Sequence, residues 1–414
     1  MKIVPYSDVH RTAWNDLSER SHDAWLFHRS EWIDIESRYF AEANHSFAIA
    51  NPSGSIVGLQ PLYFRNLQER LLDSGLHRHT GLALENTLTS SEIRAARALA
   101  MEHILSLALR HDIDRIQLNA HNLAPHNLSI AREEIPFWVS DYGFYLGIHF
   151  SSQGIAPAPE MATCCADQIV TLAGLDEDNL FKKLDESCQR AVRKAVRMNL
   201  TLTFAESRHD IDEYYTLALA SAQRSGEQLP PIEYYLSIFE NFRPIAKCAI
   251  IFALHNGQKI GALFLLMEKN AVSFLAGASL PELLPTRVND FLHWSAIKWA
   301  RSSGYAHYRL GPIFPEVDDD WPIAKVSRFK KKFGGRHVST IQGSFFLKPE
   351  RYRECAIQAI ETVCLRRESL TSRSNDARSH RMQTVFSNHC LVASTANVIR
   401  NLVRVLCKTR RSGL

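Results

Sequence analysis

Two distant stretches of this 414-residue chain are built alike, and that likeness restricts the fold more than any other feature. Phe47 to Phe64, FAIANPSGSIVGLQPLYF, is a short apolar run, a turn containing Gly54, and a second apolar run entered at Gly58. Ala249 to Met267, AIIFALHNGQKIGALFLLM, repeats the plan with a turn at Asn256-Gly257 and entry at Gly261, the same glycine-to-glycine interval. Both read as β-hairpins, the second carrying the Asn-Gly pair that tight hairpin turns favour. The segments after the two hairpins also agree. A capping box from Thr89 to Glu92 opens an apolar-periodic helix to about Arg110, and the strand-like DRIQLNA comes next. In the second half VNDFLHWSAIKWARSSG sets Phe291, Trp294, Ile297 and Lys298 at helical spacing, stops at Gly304, and leads into AHYRL. Two copies of one unit containing a strand, a helix and a strand are implied, and a period of domain size means duplication rather than a solenoid.

Between the copies, SSQGIAPAPEMATCCAD reads as a linker rich in Ser, Pro, Gly and Ala. The expected organisation is therefore a domain at residues 1–160, a second at 167–349 whose last strand is free to pack on the first, and a tail at 350–414. The tail should be a helix from Glu350 to about Arg367, a polar disordered stretch, and an amphipathic basic helix with Val398, Ile399, Leu402, Val403 and Leu406 on one face. A net charge of +4 hides an asymmetry, because residues 351–414 hold 12 Lys or Arg against 4 Asp or Glu, so the body is mildly acidic and the tail basic. With 45% hydrophobic and 22% charged residues, the composition is that of soluble globular material. Eight cysteines without a CxxC pair, a start lacking an apolar signal core, and no uninterrupted run of eighteen apolar residues point to a reduced, cytoplasmic protein.

Two basic stretches carry the chemistry. From Asp176 to Leu200 the sequence begins acidic and ends basic, as the helix dipole prefers, with Leu180, Leu184, Cys188, Ala191 and Ala195 able to face a core. Arg190, Arg193, Lys194 and Arg197 then form a stripe at spacings of three and four, open both to phosphate binding, which arginine forks suit, and to a plain solvated helix end. In WPIAKVSRFKKKFGGR, Ile323, Val326, Phe329 or Lys330, and Phe333 fall at helical intervals before a glycine pair; by position alone the three lysines are open both to a solvated last turn and to one or two of them pointing into a cleft.

Other motifs are missing or bland. There is no GxxxxGK[ST], GxGxxG, HExxH or GxSxG, and Ser295 with Lys298 is an S-x-x-K match without companions. His77 with His79, and His121 with His126, lack metal-pair spacing and read as surface or loop histidines, so no metal is expected. The acids of EVDDDW, 316–321, read as a solvated loop, and the aromatics of EYYLSIFENF as core.

These stretches, in this order, resemble the Fem-type peptidyl- and aminoacyltransferases and their acetyltransferase relatives, which carry two tandem copies of the GCN5-related N-acetyltransferase (GNAT) fold. The motifs LFKKLDESCQRAVRKAVRMNLTLTFAES, FALHNGQKIGALFLL, FLHWSAIKWARSSGYAHYRLGP and SRFKKKFGGR followed by HVSTIQGSFFL carry the resemblance, which covers about residues 1–349. It implies a mixed α+β fold with two GNAT-like domains, each a mixed β-sheet flanked by helices. It also implies transfer of an acyl or aminoacyl group from acyl-CoA, a similar thioester or an aminoacyl-tRNA to an amine of a cell-envelope glycan, peptide or specialised metabolite, with no permanently bound cofactor. The family's Phe-Lys pair falls on Phe329 and Lys330, where the lysine would neutralise charge on the carbonyl oxygen. The resemblance sets Arg190, Arg193, Lys194 and Arg197 near phosphates, and Lys331 and Lys332 in structural or phosphate-facing roles.

The chain departs from the pattern of acyl-CoA-dependent relatives, which have a Q/RxxGxG/A loop before the helix; here the stretch is ASLPELLPTRVND, so an anion would rest on the helix start, Arg287 and Asn289. Where relatives often have an acid before the strand's glycine, this chain has Tyr308-Arg309-Leu310-Gly311, and no base is supplied there. The expected partners are an acyl donor and an amine acceptor, with tRNA as an alternative and DNA excluded. The basic tail suits peripheral contact with the inner face of a membrane. A reading of another class is a non-catalytic membrane-surface or RNA-binding protein.

Overall fold

The computed structural model describes residues 1–67, 69–75, 80–129, 137–146, 166–314, 322–348 and 350. Of the expected linker at 151–167, residues 151–165 lie outside the described residues, as do His77 and His79, the acids at 316–320 and the helices expected after Glu350, while Ala166 and Asp167 belong to a strand and not to a linker.

The first half runs β1 (Lys2–Pro5), α1 (Arg11–Arg20), α2 (Ser30–Phe40), β2 (Ala43–Asn44), β3 (Phe47–Ala50) and β4 (Ile56–Gln60). It continues with β5 (Tyr63–Asn66), β6 (Arg70–Asp73), β7 (Ala83–Leu84), α3 (Ser90–Arg110), β8 (Arg115–Ala120), α4 (Pro125–Ser129) and β9 (Tyr145–Leu146). The second half opens with β10 (Ala166–Thr171), α5 (Glu177–Lys182), α6 (Glu186–Arg197), β11 (Thr201–Phe204), α7 (Arg208–Ser225) and α8 (Ile232–Phe242). Then come β12 (Cys248–His255), β13 (Gln258–Glu268), β14 (Ala271–Ser279), α9 (Val288–Ser302), β15 (His307–Ile313), α10 (Pro322–Lys331), β16 (Arg336–Ser339) and β17 (Ile341–Phe346).

Both expected hairpins form, β3 with β4 and β12 with β13. After each comes a helix flanked by two parallel strands. Leu71, Leu72 and Asp73 of β6 pair with Arg115, Ile116 and Gln117 of β8, as Ala271, Val272 and Ser273 of β14 pair with His307, Tyr308 and Arg309 of β15. The capping box of α3 is in place, with Glu92 accepting from the Thr89 amide at 2.8 Å and Thr89 Oγ1 from the Glu92 amide at 3.3 Å. The second copy lies in a seven-stranded sheet of order β11-β12-β13-β14-β15-β10-β16. Strands of the first copy divide between a four-stranded sheet, β1-β3-β4-β7, and a six-stranded one, β2-β5-β6-β8-β17-β9. The division comes where β4 runs on into β5 through Pro61-Leu62, because a proline has no N–H to give a ladder.

The core follows strand alternation. On β12 and β13, Ile250, Phe252, Phe264 and Leu266 face the layer of α7 and α8, while Ile251, Leu263, Leu265 and Met267 face α6 and α9. Trp25, Phe27 and Trp32 of the first half are buried in the same cluster as Tyr234, Phe242 and Phe264 of the second, so the halves share a core. The described residues between 1 and 146 and between 166 and 347 accordingly cluster as one compact unit. Among the described residues no helix is long and apolar enough to cross a membrane.

Candidate active site

The parallel pair β14 and β15 stays in register only to Ser273 and Arg309. Past that point β14 keeps to β13 but bulges at Leu275, since Leu265 faces Phe274 and Phe264 faces Ala276. Strand β15 keeps to β10 with its own irregularity, where Gln168 faces Gly311 and Ile169 faces Arg309. The two strands therefore part toward their C-terminal ends, the position at which open α/β sheets receive ligands. In the first copy the equivalent end is filled. Ser74 Oγ accepts from the Asn119 amide at 2.9 Å, Thr80 Oγ1 donates to the Ser74 carbonyl at 2.6 Å, and a Cβ on Gly81 would fall 2.2 Å from the Asn119 oxygen.

Two cations converge on the parting of β14 and β15. Lys330 is buried, 9% exposed, and its Nζ donates to the Pro312 carbonyl at 2.7 Å. A Cβ at Gly311, whose φ is +91°, would lie 3.4 Å from Lys330 Nζ and 4.0 Å from Arg309 Nη1. The missing side chain at Gly311 thus leaves one small volume flanked by both positive groups. Arg309 is fixed by Asp167 Oδ1 at 2.6 Å from Nη2 and by Ser273 Oγ, which accepts from Nη1 at 3.2 Å. Asn122, on the loop after β8, donates to the other Asp167 oxygen at 2.8 Å, so the first half contributes to this network. The buried Arg309 Nε makes no hydrogen bond among the described residues.

The phase of α10 is what buries Lys330. Its inner face is Ala324, Ser327 and Lys330, whereas Val326, one of the residues at helical intervals, is 47% exposed. Ser327 Oγ accepts from the Phe314 amide at 3.0 Å, so the helix is docked by a polar contact that apolar periodicity does not register. Phe329 is half-buried against the core, its ring 5.4 Å from Phe333 and 5.6 Å from His293. Lys332 pairs with the Asp290 carboxylate and covers the Phe329 ring at 4.1 Å, which makes it a clamp between α10 and the first turn of α9.

Neither the nearby histidine nor the nearby thiol is poised to react. His293 is buried against Phe274 and Phe333, and burial, with help from Lys330 and Lys332, lowers its pKa to about 3, so the ring is neutral at pH 7. Its Nδ1 sits 3.0 Å from the Tyr308 hydroxyl. Burial and the Asp290 carboxylate push the Cys188 thiol up to about 12. Among the described residues no group of three His, Cys, Asp or Glu could hold a metal.

The other expected site residues are spread out. Arg190, Arg193, Lys194 and Arg197 all face solvent on α6. The expected single helix is broken at Lys183–Asp185, where the Asp185 amide donates to the Lys332 carbonyl at 2.9 Å. The start of α6 therefore adjoins the site and its basic stripe runs outward from it. Leu180, Leu184, Cys188, Ala191 and Ala195 are buried as expected. Arg287, exposed in the left-handed region at φ +67°, and half-buried Asn289 stand at the start of α9 behind the 3-10 turn Pro281–Thr286. Of the histidines read as surface or loop, His121 is buried, its ring stacked on Trp25 at 4.7 Å.

Sequence reasoning missed Asp167, Ser273, Asn122 and His293, and read Arg309 only as a departure. A signal existed for Asp167: with Gln168 it is a polar pair just ahead of the apolar Ile169 and Val170 in one strand.

Residues 182–330, which run from the end of α5 to Lys330, match the family described as acetyltransferase (GNAT) domain. The second half carries a GNAT domain. The match takes in the parting strands and both site cations. Beyond the GNAT domain the likeness extends over most of the chain in structure. A crystal structure of FemX superposes with a TM-score of 0.63, covering 85% of this chain and 99% of that one at 14% identity. The C-terminal domain (DUF2156) of a putative lysylphosphatidylglycerol synthetase from Agrobacterium fabrum gives 0.51, with 80% and 90% covered at 14% identity. A conserved protein of unknown function from Bacteroides thetaiotaomicron also gives 0.51, with 82% and 98% covered at 8% identity. The chain thus shares the FemX fold, with its GNAT domain in the second half. No curated protein matches its sequence.

Proposed function

We propose that the chain transfers an acyl group from acyl-CoA or a similar thioester to an amine of a cell-envelope glycan, peptide or specialised metabolite. The observation that carries this reading is the buried Lys330 ammonium meeting Arg309 over the bare face of Gly311, where β14 and β15 part. The amine nitrogen attacks the carbonyl carbon, and the C=O electron pair moves onto oxygen. The resulting oxyanion is held by Lys330 at hydrogen-bond range. Collapse expels the donor's thiolate, which leaves with the proton lost by the amine. No covalent enzyme intermediate is formed, so the rate comes from positioning and from charge placed beforehand in a site that excludes water. Phe329 supports the lysine through its contacts with Phe333 and His293.

Donor phosphates are assigned to Arg287, Asn289 and the first turn of α9, where unsatisfied amides and the helix dipole favour an anion. The stripe of Arg190, Arg193, Lys194 and Arg197 is assigned to phosphates lying outside the opening. The tail beyond Glu350 is assigned to the inner face of the membrane, with the protein otherwise cytoplasmic.

A second reading, aminoacyl-tRNA as donor, is favoured by one feature. The segment before α9 is a 3-10 turn containing Pro281 and Pro285 rather than a glycine-rich loop. Incubation of the purified protein with radiolabelled acyl-CoA, and separately with charged tRNA, decides between them. Amide product with acyl-CoA alone supports the thioester donor, and product formed only with tRNA replaces it.

A further inference from the structure

The outer face of α6 and the adjoining strand β11 stand apart from the rest of the described surface. Eight large hydrophobic residues are exposed among the described residues, and three of them, Val196 (57%), Leu202 (40%) and Phe204 (40%), fall within one stretch of α6 and β11. The same stretch exposes Arg190, Arg193, Lys194 and Arg197. Arg190 reaches Glu186 at 3.3 Å in a pair open to solvent, while Arg193, Lys194 and Arg197 form no ion pair among the described residues. Arg193 instead lies over the Phe181 ring at 5.1 Å and donates to Gln189 at 3.3 Å. At about 100° per residue, Val196 stands about 60° around the helix axis from Arg193. Strand β11 is the edge of its sheet, and the Phe204 ring lies 5.8 Å from Trp299, which neighbours Tyr305 at 6.2 Å.

Cations alone would suit any phosphate, and exposed apolar residues alone would suit any greasy partner. Their adjacency selects a partner that offers both, a sheet of phosphates over an apolar interior. We propose that this face, Arg190 to Phe204, docks on an anionic lipid bilayer, with Arg193, Lys194 and Arg197 at the headgroups and Val196, Leu202 and Phe204 entering the interface. Basic side chains beside aromatic and aliphatic ones are what peripheral binding to anionic lipid uses. Docking here holds the enzyme against a surface and so favours an acceptor or donor that is itself presented on a membrane. The inference extends the phosphate role of the α6 stripe; the acyl-transfer reading stands without it.

The test is amide hydrogen exchange on the full chain with vesicles of phosphatidylcholine alone and with about one third phosphatidylglycerol, a fraction that gives the surface potential basic residues respond to. Expected is slowed exchange across residues 190–204 with the anionic vesicles only. Leu202→Glu with Phe204→Glu should lower vesicle partitioning about tenfold, since each apolar side chain withdrawn from the interface removes part of the binding. The same double variant should keep turnover on a water-soluble acceptor, and Lys330→Met should lose turnover yet partition normally, which separates this inference from the transferase reading. Protection confined to residues beyond 350, unchanged partitioning of the double variant, or equal protection by saturating inorganic phosphate would overturn it.

Discussion

In the proposed transfer, Lys330 is the residue assigned to the oxyanion. Removing its ammonium by Lys330→Met should lower kcat by about two orders of magnitude, the range for loss of one oxyanion-stabilising group, with the circular dichroism spectrum unchanged. Wild-type turnover in the variant would return Lys330 to the role of a helix-end cation. Arg309 is different, because it neutralises Asp167, whose side chain is 5% exposed. Arg309→Met takes the Arg309 cation away from a buried carboxylate, and should cost about 3 kcal/mol in urea unfolding. Adding Asp167→Asn should recover most of that loss, because the buried charge is then gone. A double variant no more stable than the single would mean that Arg309 acts through its packing. Little of this was legible in the sequence. Position alone made Lys330, Lys331 and Lys332 equivalent; the resemblance singled out Lys330, and its burial depends on Ser327 meeting the Phe314 amide and on Gly311 having no side chain. Such contacts join residues that only the folded chain brings together.

Elements were more legible than residues, and the repeated glycines explain why. A Cβ on Gly58 would meet Leu84 Cδ2 at 3.0 Å, and one on Gly261 would meet Val288 Cγ2 at 2.8 Å. Each glycine sits where a side chain would be crowded, Gly58 by its cross-strand partners Leu84 and Ile49 and Gly261 by α9 packed on the sheet, so the same hairpin spacing serves two different close approaches. Gly261→Ala should therefore cost about 1–3 kcal/mol through overpacking of β13 against α9, read as a lower urea midpoint. Stability equal to wild type would mean that α9 can shift without cost. The capping box of α3 offers a second check of a local signal: Thr89→Ala should cost about 1 kcal/mol. Where a boundary depended on a distant partner the reading fell short. The stretch from Asp176 to Leu200 looked continuous, and it breaks because the Asp185 amide is taken by Lys332, about 150 residues further along the chain.

At the scale of the whole molecule the duplication was legible, while the way its copies share a core was not, since alternation within a strand says nothing about which distant layer will cover it. Trp25, Phe27 and Trp32 complete the layer that Tyr234 and Phe264 begin, and Lys269 of the second half donates to the Ala24 carbonyl of the first at 2.7 Å. The halves should therefore unfold together, in one transition common to fluorescence and circular dichroism. Acid is the sharpest probe of that unit. His28, bonded to Gly81 at 3.0 Å, has its pKa lowered by burial to about 4, as His293 has to about 3. Each is held neutral in the fold and titrates near 6.5 once unfolded, so the unfolded chain binds the extra protons. Their contribution is complete above pH 6.5 and is lost as the pH falls from there toward 4 for His28 and 3 for His293. Within that window each histidine should steepen the loss of stability by about 1.4 kcal/mol per pH unit. Urea unfolding between pH 7 and 4.5 measures the slope, and His293→Phe should flatten it by the share of one histidine. A variant with the wild-type slope would mean that His293 takes up its proton without the core opening, which its packing against Phe274, Phe329 and Phe333 opposes.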